Sequence, residues 1–160
     1  MDQSKLKMID GWIKKASNKF YHAKDLIESR TQYSEVIQES QECIELSVKS
    51  LLLLLEIDFP HKHGWDLDSN QISEIIKKLK SKRINELIES KNLQYVVRLP
   101  RLLFLINFWS KFYIAAKYGI SKEYFAPANE IFQKDEAELS IKHADESYRA
   151  VTNLRNIIFQ

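Results

Sequence analysis

The chain has 160 residues, a formal net charge of +2, three glycines, three prolines and a single cysteine. That length is expected to form one domain, residues 1–160, large enough to bury a core. So little glycine and proline argues against a sandwich or small barrel, Cys43 alone excludes a disulfide framework or multi-cysteine zinc site, and the charge gives no global pull toward nucleic acid or anionic lipid.

Ile9, Ile13, Ala16, Phe20, Ala23 and Ile27 recur every three or four positions, the spacing of one apolar stripe on a helix. Lys14, Lys15, Lys19, Lys24 and Glu28 lie between them and suit a solvated face. Residues 29–32 are a polar break, with Thr31 or Ser34 as the cap of a second helix. That helix, from about Tyr33 to Glu56, carries Ile37, Ser40, Ile44, Ser47, Leu51 and Leu54 on one stripe. Its small residues Ser40, Cys43 and Ser47 allow close helix approach and predict a central packing element. Leu51 to Leu55 is apolar all round, so this end should be buried on several sides. Pro60 closes the segment.

Residues 61–66 read as a loop. Ser69 or Asn70 is placed to cap a third helix with Ile72, Ile75, Ile76 and Leu79, and a short fourth pattern holds Ile84, Leu87 and Ile88. Leu99 to Tyr118 is strongly apolar and aromatic, with Pro100 in a first turn and Gly119 as the stop. Residues 120–133 read as a loop with Pro127, and a last helix runs from about Lys134 to Ile158 through Ala137, Ile141, Ala144, Tyr148 and Val151. Asp135, Glu136 and Glu138 suit the helix dipole at its start. No strand pattern competes. The expectation is an all-α, up-and-down bundle of four long helices with one or two short ones. No run approaches the ~20 apolar residues of a membrane span, and Met1 to Lys5 lacks a signal-peptide stretch. A cytoplasmic protein without membrane contact is expected.

Several residues in this frame resemble the HEPN domain family, named for nucleotide binding in higher eukaryotes and prokaryotes. They are Tyr33-Ser34-Glu35 at a helix start, Glu45 and Lys49 four apart, the Leu51–Leu55 run, Pro60, and the turn His63-Gly64-Trp65-Asp66-Leu67. Where the family often carries Arg-Tyr-Pro, this chain has Lys117-Tyr118-Gly119. The resemblance implies a helical bundle that is usually a homodimer. It also implies either RNA cleavage by an Arg-x(4–6)-His motif, binding of nucleotides, or pairing with a small nucleotidyltransferase, as in a toxin–antitoxin-like or stress system. The histidines are His22, His61, His63 and His143, and none follows an arginine by five to seven positions. The ribonuclease motif is therefore absent.

The candidate chemistry is sparse. Glu45 and Lys49 are spaced for an i, i+4 ion pair, and Lys49 in a groove would alternatively meet a phosphate. Lys117 keeps the charge of the family's arginine but not its two-pronged fork. Lys49, His63, Lys117 and Tyr118 are the candidate nucleotide- or phosphate-binding residues. Across residues 71–101, eight basic residues stand against three acidic ones. Lys77, Lys78, Lys80, Lys82 and Arg83 are the candidate nucleic-acid contacts within that stretch, although most charge runs are solvated faces. His61, His63 and Asp66 are too few for a metal site without a fourth ligand, so no metal or cofactor is expected. His143 and Asp145 do not share a helix face, and Cys43 reads as packing. The leading expectation is a non-catalytic HEPN-like binding module. The alternatives are a divergent, metal-independent ribonuclease using His61 or His63, and a structural homodimeric interaction protein docking through the aromatic helix.

Overall fold

A computed structural model describes residues 2–29, 32–59, 65, 67–90, 98–120 and 125–159, the side chain of Lys82 excepted. Three long helices form its centre: α1 (Gln3–Glu28), α2 (Tyr33–Leu54) and α8 (Lys134–Ile158). Between α2 and α8 lie α3 (Ser69–Leu79), α4 (Lys82–Ser90), α5 (Leu99–Ser110), α6 (Tyr113–Tyr118) and the single turn α7 (Ala128–Ile131). The described residues form helices and no strand beyond one isolated bridge, Ile120 to Ala126.

The order is up, down, up, down. Asp10 near the start of α1 binds Arg155 near the end of α8, and Phe20 stacks on Tyr148, so α1 and α8 are antiparallel. Cys43 reaches the carbonyl of Ala144, and Val36 shares a cluster with Ala137, a constant offset that makes α2 and α8 parallel. On α5, Arg101 meets Glu146 and Trp109 meets His143. The chain numbers run oppositely, so α5 opposes α8 and α2. The expected third rod, residues 99–118, is present but divided. At Lys111 and Phe112 the amides bond to the carbonyls of Phe108 and Trp109, three residues back, and the tightened turn redirects the chain into α6.

The core follows the apolar rhythm. Ile9, Ala16, Phe20 and Ala23 are buried on α1, with Ile13 and Ile27 packed at the margin. Leu51 to Leu55 are all buried, each such leucine stabilising by roughly 1.5–3 kcal/mol. On α8 the buried set is Ala137, Ser140, Ala144, Ser147, Ala150, Val151 and Leu154. Ser140 and Ser147 turn their hydroxyls onto carbonyls of their own helix, Ala137 and His143. A serine satisfied that way packs as a small residue, which lets α2 and α8 approach closely.

The caps differ from expectation. Gln32 precedes α2 without a side-chain cap, and Ser34 is buried inside the helix; Thr31 lies outside the described residues. Asp68, not Ser69 or Asn70, caps α3 in a reciprocal box with Gln71. Gly119 ends α6 as expected, and Pro127 leads into α7.

Candidate functional site

The sequence-based candidates fall in separate places. Lys49 is buried at 7 % exposure, and its ammonium donates to Glu45 Oε1 at 2.6 Å. Gln41 in turn donates to Glu45 Oε2 at 3.0 Å. Successive helical turns thus carry Gln41, Glu45 and Lys49 as one polar chain, and the i, i+4 pair expected from the spacing is formed.

Lys117 and Tyr118 lie at the other end of the bundle's middle. Gln38 of α2 donates to the carbonyl of Ala116, which seats α6 against the beginning of α2. Gln38 and Lys49 are separated by ~16 Å at 1.5 Å per helical residue, so Lys117 is not brought to Lys49. Lys117 donates to the Tyr113 hydroxyl at 3.2 Å and lies 5.4 and 5.3 Å from the ring centres of Tyr113 and Tyr118. The tyrosine hydroxyls raise its pKa, Tyr113 first and Tyr118 second. Tyr118 is 68 % exposed.

Gly119 explains the departure from Arg-Tyr-Pro. Its φ is +77° and its amide donates to Ala115 at 2.9 Å. Proline has neither that φ nor an N–H. A Cβ there would stand 2.3 Å from the carbonyl oxygen of Ala126, the residue that bridges back to Ile120.

The basic segment sits at the far end of α2. Arg83 donates to Glu56 just beyond α2, a short ion pair that also lowers the Glu56 pKa. Lys77 pairs with Glu74 at 2.7 Å. Lys77, Lys78, Lys80 and Arg83 are all exposed on the α3–α4 hairpin. Phe59 and Trp65 lie together, ring centres 6.2 Å apart, and both are buried. His63, His61 and Asp66 lie outside the described residues, as does the side chain of Lys82. Among the described residues, no three histidines, cysteines or carboxylates gather as metal ligands.

Beside this hairpin a cleft of about 790 Å³ opens between α3–α4 and α5. Ile72, Ile75, Ile76 and Leu79 line it from α3, Leu103 and Phe104 from α5. Sequence periodicity assigns such side chains to a core. The gap opens because α5 and α3 do not close on one another, which no single-helix pattern reveals.

The contact that sequence reading missed joins α5 to α8. Trp109 Nε1 donates to His143 Nδ1 at 3.0 Å, and Arg101 Nε donates to both oxygens of Glu146 at 2.7 and 3.0 Å. The acceptor role fixes the neutral tautomer of His143 with its proton on Nε2. Burial lowers the His143 pKa, and Arg101 adds to the effect. Cys43 is fully buried, and burial pushes its thiol to about 12, which leaves it no nucleophilic thiolate at neutral pH.

A sequence model described as HEPN domain matches residues 9–154, nearly the whole chain. No curated protein and no solved structure matches. No described helix is long and apolar enough to cross a membrane.

Proposed function

The chain belongs to the HEPN domain family, and from that premise we propose that it is a non-catalytic binding module that takes RNA or a nucleotide by its phosphates. The supporting observation is the α3–α4 hairpin, which presents Lys77, Lys78, Lys80 and Arg83 to solvent on one compact element. Lysines spread along a backbone contact phosphates as point charges and need no groove of their own. Lys117, held between Tyr113 and Tyr118, is a second phosphate point with an exposed ring beside it for stacking. The sequence supports the non-catalytic part, because no histidine stands at the ribonuclease spacing from an arginine. The test is fluorescence anisotropy with a labelled single-stranded RNA, with ATP as competitor. Binding should weaken linearly in log–log form with salt and fall when Lys77, Lys78, Lys80 and Arg83 are changed to glutamine, and the RNA should stay intact. Cleavage, lost on His63→Ala, would sink the non-catalytic reading.

A second reading is protein pairing through α5. Phe104, Phe108 and Phe112 form a ladder, ring centres 5.8 and 5.1 Å apart. Phe104 is 56 % and Ile114 of α6 61 % exposed. Such a stripe on a soluble surface marks a contact face, here for a second copy of the chain or a small nucleotidyltransferase. Light scattering across a dilution series, repeated with Phe108→Ser, measures the first. Co-elution with a nucleotidyltransferase encoded beside this chain measures the second.

A further inference from the structure

We propose that the cleft between the α3–α4 hairpin and α5 binds an amphiphilic anion: an unbranched aliphatic chain ending in a carboxylate or phosphate. This site lies beyond the phosphate-contacting edge described above and shares only Lys80 with it.

The walls choose the chain. Ile72, Ile75, Ile76 and Leu79 recur at helical spacing on α3, so its whole apolar stripe faces the cleft. Leu103 and Phe104 supply the opposite side. Branched aliphatic walls grip a hydrocarbon by area alone, whereas a nucleobase would set its polar edges against methyl groups. The volume of about 790 Å³ falls within the roughly 300–1,000 Å³ of small-molecule sites. Ile76 and Phe104 remain partly exposed, so water still covers apolar surface that a ligand would release.

The edge chooses the head group. Lys80 and Arg98 stand at the rim with the amides of Asn85 and Asn107, and among the described residues no aspartate or glutamate lines the cleft. Neighbouring cations each stand beside a carboxylate at the surface, Lys77 by Glu74, Arg83 by Glu56 and Arg101 by Glu146. Among the described residues, neither Lys80 nor Arg98 has a carboxylate within ion-pair distance. Two unmatched cations at the mouth of an apolar cleft complement an anion attached to a hydrocarbon. Trp65 also lines the cleft, and its buried Nε1–H has no acceptor among the described residues, so its emission is a reporter of what enters.

The test is calorimetric titration of the full chain with hexanoate, octanoate, decanoate, octyl phosphate and octan-1-ol. Affinity should rise roughly three- to fourfold per added methylene, and octan-1-ol should bind more weakly than octanoate. Arg98→Gln and Lys80→Gln should each cost octanoate about three- to tenfold and leave octan-1-ol unchanged. Both cations are exposed, so these variants keep the fold. The carboxylate and phosphate arms separate the two head groups. Equal affinity for acid and alcohol, no dependence on chain length, or no heat with any of them would overturn the proposal. Displacement of octanoate by ATP would overturn it as well, by giving the cleft to nucleotides. Loss of RNA binding in the anisotropy experiment leaves this result untouched, because Arg98 lies outside the edge tested there.

Discussion

Trp109 and His143 are joined by a hydrogen bond of 3.0 Å, indole N–H to imidazole Nδ1, although 34 residues separate them. With Arg101 and Glu146 it forms the polar linkage between α5 and α8 among the described residues. The bond requires Nδ1 to be unprotonated. Acid therefore acts on it directly. The unfolded chain protonates this ring near the ordinary value of 6.5, and the folded chain only at lower pH. Stability from this site is present above pH 6.5 and is lost as the pH falls through the folded value. Thermal melts at stepped pH should show a larger acid loss in the wild type than in His143→Gln, which cannot gain a charge. Trp109→Phe should cost about 0.5–1.5 kcal/mol for the bond, with some added loss from the smaller ring.

The two described glycines divide by backbone. Gly119 has φ +77° and ψ −166°, a region essentially closed to other residues, and a Cβ there meets backbone oxygen. Gly119→Ala should therefore destabilise by at least about 1–3 kcal/mol in urea unfolding. Gly11 sits within α1, exposed, with nothing within 4 Å of an added Cβ. Gly11→Ala should stabilise by about 0.5–1 kcal/mol. Opposite signs in one assay would separate strain from helix propensity.

Cys43 offers a probe of opening. The buried thiol is held protonated to about 12, so a thiol reagent at neutral pH should label it only after α2 separates from α8. Labelling rates in rising urea should follow the unfolding equilibrium seen by circular dichroism. Rapid labelling of the native protein would contradict the packing of Cys43 against Ala144.

The bundle was legible because burial repeats with helical period. Ile9, Ala16, Phe20 and Ala23, and the Leu51–Leu55 tract, are buried as their spacing implies. The Glu45–Lys49 pair was legible for the same reason, since it lies within one helix. What spacing cannot carry is contact between helices. Ser140, Ser147 and Leu154 are core residues of α8, but the serines are polar by type and become packing elements only by bonding their own carbonyls. The Trp109–His143 bond, the division of the third rod at Lys111, and the cleft beside α3 depend on where α5 comes to rest. The N-cap of α3 was missed by one or two positions, because Asp68 competes locally with Ser69 and Asn70.

The central helix α2 touches α1, α5, α6 and α8, whereas α3 and α4 pack mainly on each other. Deuterium should therefore enter the chain in sequence. The amides of the α3–α4 hairpin should exchange through small, local fluctuations, while those from Ile44 to Leu54 wait for the whole molecule to come apart. Its most cooperative unit should then be the most deeply buried helix, and its most easily opened unit the hairpin that presents Lys77, Lys78, Lys80 and Arg83 to solvent.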